Sequence, residues 1–269
     1  MPFHFHDGEL FVQRRAGTYE QSAEALAKGW VGTTISSSGD SQMEDADLRE
    51  VYLSSVDEQG RVWASAVVGQ NPGFVTYGPS SAGSVVLTIS SGQRNFLTYR
   101  GDPLEENIKR EGAPVGMLLK GLKNRRRYRI DGHVTSTRAS ALKPGPWNSV
   151  RGGIGGPDLS FKVSMAMGNC PKYVHVMKLV GEDGEVPREP LVKRSTSLSE
   201  AQRRWVASSD TFILATHAGG GDGGGADASN RGGNPGFVTA PDERTIVFPD
   251  YSVSSLTWSR AGLLWTCWQ

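Results

Sequence analysis

The string Asn-Pro-Gly-Phe-Val occurs twice in this chain, at Asn71–Val75 and at Asn234–Val238, so the second copy begins 163 residues after the first. What precedes each copy matches as well. The first follows Trp63-Ala-Ser-Ala-Val-Val-Gly-Gln70 and, before that, the apolar run Val51-Tyr-Leu-Ser-Ser55. The second follows Ala226-Asp-Ala-Ser-Asn-Arg-Gly-Gly233 and the apolar run Phe212-Ile-Leu-Ala-Thr216. A shared order of strand, turn, small-residue strand and Pro-Gly turn constrains the fold far more than five matching letters. It predicts two copies of one β-rich unit, with any site lying between them.

Composition narrows the function classes. The 269 residues suffice for one large core or two modest ones, and 34 Gly with 14 Pro among short β-branched runs point to strands joined by turns. With 29 basic against 28 acidic residues the net charge is +1, so no global field draws the chain to nucleic acid or to an anionic membrane. No apolar run reaches the roughly 18 residues that a membrane helix needs. The polar N-terminal run Met1–Glu9 argues against a signal peptide, and two cysteines, Cys170 and Cys267, exclude a disulfide framework. Together these predict a cytoplasmic protein.

Four segments are expected: an N-terminal helix and loop (1–48), a first β-unit (49–180), a linker and helix (181–209) and a second, shortened β-unit (210–269). In the first segment Gln21–Lys28 reads as a helix and the Ser/Gly/Asp-rich Thr33–Asp47 as a loop. Strands are expected at Glu50–Val56, Arg61–Val68, Phe74–Tyr77 and Ser84–Ser90, with a turn at Asp57–Gly60. Asp102-Pro103 opens like a helix, with Asp102 as the cap. Further strands are expected at Val115–Lys120, Arg126–Val134 and Leu159–Ala166. Ser199–Ser208 reads as a helix that turns Trp205 and Val206 inward. The second unit, from Thr211, is left with 18 residues after Tyr251, too few to match the first.

At these residues the chain resembles the pyridoxamine 5′-phosphate oxidase-like family of FMN-binding split barrels, and within it a subgroup with two barrels in one polypeptide. The stretches that carry the resemblance are Phe5-His-Asp-Gly-Glu9, Trp63–Val75, Asp102-Pro-Leu-Glu-Glu-Asn107, Arg125–Arg129, Gly168–Tyr173, Asp227–Phe237 and Phe248-Pro-Asp-Tyr-Ser252. The resemblance implies a mainly β fold: tandem split barrels packed as an internal pseudo-dimer, with FMN in the groove between them. It leaves a homo-oligomer open. In the subgroup Phe-Pro-Asp-Tyr-Ser is followed by Gly-Asn and a strand-helix stretch; here Val253-Ser-Ser-Leu-Thr-Trp258 follows instead. That departure resembles a truncated gene end, and a truncated second barrel would bind no cofactor.

Arg231 is the sharpest candidate. Alignment of the repeats sets it against Val68, so the second copy carries a cation where the first is apolar, and an Arg fork suits a flavin phosphate. The resemblance places an FMN-contacting arginine there, with Ser229 and Asn230 as neighbours, and Gly232 and Gly233 would let backbone amides approach the anion. The competing reading is a solvent-facing strand arginine. Asp250 and Ser252 are expected to add polar contacts, or else to build a turn. Lys172 and Tyr173 are expected to line the groove from the first half, with Cys170 structural. No catalytic side chain stands out.

Other patterns read more blandly. In the basic run Lys123–Arg129, Arg125, Arg127 and Arg129 would share the charged outer face of a strand; a phosphate contact or a nucleic-acid surface is the rarer reading. Gly219–Gly225 satisfies G-x-G-x-x-G by letter, but a strand and a turn follow it where a dinucleotide fold would open a helix. His4, His6, Asp7 and Glu9 read as a terminal segment packing on the barrel and not as a metal site. The leading expectation is a flavin-dependent oxidoreductase acting on an unknown small molecule. The alternatives are a non-catalytic flavin- or haem-binding module, and a truncated, cofactor-free protein that acts by association.

Overall fold

The computed structural model describes residues 5, 7–44, 48, 50–69, 74–79, 85–89, 94–95, 102–138, 158–169, 172–177, 195–219, 225–249 and 251. Helices α1 (Asp7–Ala16) and α2 (Tyr19–Ala27) open the chain, followed by β1 (Val31–Gly32) and α3 (Ser37–Met43). Strands β2 (Glu50–Val56), β3 (Val62–Gly69), β4 (Val75–Pro79), β5 (Val85–Ile89) and β6 (Arg94–Asn95) precede the short helix α4 (Leu104–Asn107). Then come β7 (Pro114–Lys120), β8 (Arg127–Arg138), β9 (Asp158–Asn169), α5 (Glu200–Ser208), β10 (Thr211–His217) and β11 (Ala226–Gly232).

Local chemistry accounts for the element ends. In α1, Asp7 and Glu9 sit in the first turn and Arg14 and Arg15 in the last, matching the helix dipole. Gly17 and Gly29, at φ +67° and +68°, end α1 and α2 in the left-handed region, where Trp30 N–H reaches back to the Ala25 carbonyl. The Asp102 carboxylate accepts the Leu104 amide at 2.9 Å and so starts α4. Ser199 caps α5 through a reciprocal bond with Gln202.

The fold is mainly β. All strand pairs are antiparallel, in the order β4-β5-β9-β8-β7-β2-β3-β6, with β1 beside β9. Val75 of β4 and Ile89 of β5 share one core with Val67 of β3, from near the other end of that order, so the sheet rolls around its core. Among the described residues the strand path does not close into a ring.

The sheet is covered on both faces at its centre. Along β2, β7 and β8, alternate residues point to opposite sides. Val51, Leu53, Val115, Met117, Leu119, Tyr128 and Ile130 enter the core. The intervening side is overlaid by a second, two-stranded sheet: β11 crosses β7, β2 and β8, while β10 lies over β3 and β2. Close approach is possible because Gly116 has no side chain; a Cβ there would stand 2.7 Å from the Asp227 Cα. The covering sheet is itself a hairpin like β2–β3. Arg231 pairs with Phe212, second residue of β10, and Val68 with Glu50, first residue of β2.

Several expectations need correction. Thr33–Asp47 contains α3, drawn into helix by tertiary contacts: Gln42 Nε2 donates to the Arg126 carbonyl at 3.1 Å, and Ser36 N–H to the Tyr128 hydroxyl at 3.0 Å. The terminal segment that carries Asp7 and Glu9 is itself a helix, for which no expectation was set. Trp205 points outward, 70% exposed, because α5 buries no residue. Arg127 and Arg129 are buried, since the hairpin that covers their side of the sheet comes from a hundred residues further along. No helix among the described residues is long and apolar enough to cross a membrane.

Candidate functional site

Between β8 and β11 lies a buried seam of charge. Arg129 Nη2 pairs with Asp227 Oδ1, and Asp131 Oδ2 lies 4.0 Å from the same guanidinium nitrogen. Arg127 Nη1 donates to the Asn230 carbonyl at 3.3 Å. Burial pushes both aspartate carboxyls above the usual range. For Asp131 the neighbouring charges of Asp227 and Glu9 add to that rise and Arg129 opposes it; for Asp227, Arg129 and Arg231 oppose it. The carboxylates outweigh burial at Arg129 and hold its guanidinium more firmly charged. Asp131 Oδ1 and Ser229 Oγ are buried without a hydrogen-bond partner among the described residues.

A strap, Lys172–Met177, closes one end of the seam. Met177 N–H donates to the Leu122 carbonyl at 2.9 Å, anchoring the strap to the end of β7. The Tyr173 carbonyl oxygen packs directly on Gly232, where any Cβ would collide with it. His175 Nε2 lies 2.9 Å from the Gly233 carbonyl oxygen. Under the strap, Lys120 is almost fully buried; burial lowers its pKa, against the charges of Glu50 and Asp210.

The expected site residues divide into three groups. Tyr173, Gly232 and Gly233 meet at the strap, and the Tyr173 ring stacks on Tyr251 with centroids 4.6 Å apart. Tyr173 holds φ +58°, a left-handed conformation that is uncommon for a residue with a side chain, and its ring is 43% exposed. Lys172 beside it is exposed, and Arg231 is half-buried. Ser229 and Asn230 instead lie inside the seam, where the Asn230 side chain accepts from Thr211 Oγ1 at 3.1 Å. Asp250 and Ser252 lie outside the described residues, as does the run beyond them. The Gly233 amide is used within the chain, donating to the Asp210 carbonyl at 3.0 Å.

Sequence reasoning reads Arg129 as part of a charged outer face and gives Asp131 and Asp227 no role. A signal existed: the repeat sets Asp227 against Ala64, so the second copy carries an acid as well as an arginine that the first lacks. Elsewhere, Gly219–Gly225 joins β10 to β11, with Ala218 N–H donating to the Gly225 carbonyl at 2.9 Å; a strand follows it, as expected. A cleft of about 520 Å³ lies apart from the seam, between the β2–β3 turn and α4, lined by Asp57, Trp63, Asp102, Asn107 and Arg110 among others. Among the described residues no three His, Cys, Asp or Glu side chains are grouped to hold a metal ion.

No protein-family model matches the chain, and no curated protein matches it. Among solved structures it is similar to a 1.98 Å crystal structure of a single-residue variant of HupZ from Group A Streptococcus. The two share 10% identity over 51% of this chain and 100% of that one, with a TM-score of 0.33. A likeness so slight carries no argument about ligand or activity.

Proposed function

We propose that the chain binds flavin mononucleotide where the strap crosses the end of β11, and that it works as an oxidoreductase-type protein whose redox chemistry is supplied by the bound flavin. The observation that carries this reading is the Tyr173–Tyr251 stack. It offers a half-exposed aromatic surface next in the chain to Lys172, and the Tyr173 carbonyl packs on Gly232, next in the chain to Arg231; the two segments that form it are ones the sequence motifs expect to meet. Flat apolar rings next to cations suit a ligand with a planar ring at one end and a phosphate at the other.

The residues fit such a group through side chains. Because the Gly233 amide is engaged by Asp210, the phosphate would rest on Arg231 and Lys172. Charge-assisted bonds of this kind contribute about 1.5–3 kcal/mol each, so Arg231→Ala is expected to weaken FMN binding by roughly ten- to a hundredfold.

The test is incubation with FMN, removal of free ligand and measurement of flavin absorbance and fluorescence, for the natural chain and for Arg231→Ala and Tyr173→Ala. Retained flavin lost in both variants supports the proposal. No flavin uptake at any concentration would refute it. Uptake of haem with a Soret band, and not of flavin, would move the chain to the non-catalytic modules.

A further inference from the structure

We propose that Arg129, Asp131 and Asp227 form a proton-operated latch, which holds the β10–β11 hairpin on the sheet while the carboxyl pair keeps a proton and loosens it when that proton leaves. The geometry is one guanidinium between two carboxyls on different elements: Asp131 on β8 of the main sheet and Asp227 on β11 of the covering hairpin. All three are buried or nearly so. One guanidinium neutralises one carboxylate, and Asp227 makes the closer pair. With a proton on Asp131 the seam is balanced there. Without it, a second negative charge appears in a place shielded from water, facing Asp227 across the joint, and repulsion pushes the two layers apart.

The other charges facing the pair do not remove the imbalance. Arg231 on β11 acts on Asp227, and Arg127 on β8 is engaged with the Asn230 carbonyl. Glu9 of α1 adds a further negative charge toward Asp131 and Arg129. His133 of β8 and His217 of β10 interact across the same joint, and burial keeps both toward their neutral form.

The sign follows from the carboxyl environment. A carboxyl whose pKa is raised in the folded state favours the protonated form there. Its contribution is therefore intact below the ordinary carboxyl range and falls as pH rises toward the raised value. The hairpin is held best on the acid side of that window and is loosened on its alkaline side. The layer that loosens carries Ser229–Gly233, so whatever binds at the strap loses its seat with it. This inference stands whether or not that ligand is a flavin.

Hydrogen exchange, corrected for the intrinsic pH dependence of amide exchange, tests it on the whole chain. Protection of residues 211–217 and 226–232 is expected to fall by about tenfold or more as pH is raised from just above the ordinary carboxyl range to the alkaline limit of the fold, while β7–β9 keep theirs. Asp131→Asn, which cannot ionise, is expected to hold hairpin protection level across the range. Asp227→Asn, which breaks the Arg129 pair, is expected to lower it at every pH. Equal hairpin protection at both ends in the natural chain overturns the latch even if neither variant folds. So does an Asp131→Asn chain that keeps the natural pH dependence.

Discussion

Asp57 shows what a single side chain does in this fold. Its carboxylate accepts the Gln59 and Arg61 amides at 3.0 and 2.8 Å, Arg61 Nε at 2.7 Å and Trp63 Nε1 at 2.9 Å. Burial pushes this carboxyl up, but the donors outweigh it and hold it at about 2. A depressed carboxyl contributes stability that is complete above its ordinary value of 3.8 and is lost as pH falls through about 2. Asp57→Asn is therefore expected to flatten the fall in Tm across that window, read by circular dichroism. An unchanged slope would show that the turn does not matter to acid stability. Tyr128 acts by packing as well as bonding. Its hydroxyl meets Ser36 N and Oγ at 3.0 and 3.1 Å, and a Cβ on Gly39 would stand 2.6 Å from its ring. Tyr128→Phe is expected to cost about 1 kcal/mol in denaturant unfolding, and Gly39→Ala about 1–3 kcal/mol, because the second must displace a buried ring. At this scale the sequence was half legible. Alternation along β8 separates Arg127 and Arg129 from Tyr128 and Ile130, as period-2 reasoning expects. Which of those faces meets water is decided by residues 211–232, too distant in sequence for local pattern to report.

At the scale of elements, legibility tracks how local the cause is. The expected span of β2 is the span observed, and the other main strands were found within a few residues, because alternation and turn chemistry are written in neighbouring side chains. Helix α3 was not found, because Ser37–Met43 has a loop-like composition and owes its shape to contacts with β8. Within the candidate site the same division holds. Tyr173 and Gly232 were named from motifs and do meet; Asp227 was missed because an acid amid small residues looks like a strand edge until its partner, Arg129, is placed. The joint between β8 and β10 also carries a pH response of its own. Burial lowers both His133 and His217, and the His133 charge lowers His217 further. Groups lowered in the folded state give stability that is complete above the ordinary histidine value of 6.5 and lost as pH falls below it. His217→Asn is expected to remove part of the acid weakening of hairpin protection measured by hydrogen exchange, leaving the alkaline limb untouched. Loss of both limbs together would show that the variant acts on the hairpin as a whole and not through charge.

For the whole molecule the decisive fact is how unequally the two layers are built. The main core is drawn entirely from buried residues between Met43 and Ala166, whereas β11 brings Ala226, Ala228 and a row of polar side chains to the joint. Apolar burial is the larger source of stability, at about 25 cal/mol per Å², so the sheet should outlast the hairpin that covers it. The charged seam adds little to that difference while it is balanced, since a buried ion pair gains little over the desolvation it costs, and weakens the hairpin when a buried charge is left without its counterpart. It follows that hairpin and sheet open at different free energies. Native-state hydrogen exchange is expected to show residues 211–217 and 226–232 opening well before β7–β9. Gly116→Val tests the joint directly, because even a Cβ at that position meets the Ala226 carbonyl and lies 2.7 Å from the Asp227 Cα. The variant is expected to lose hairpin protection, and with it the proposed flavin uptake, while β8–β9 keep their protection. Should Gly116→Val instead unfold the chain in one step, with hairpin and sheet amides exposed at the same denaturant concentration, the two layers form one cooperative unit and the seam belongs to the core.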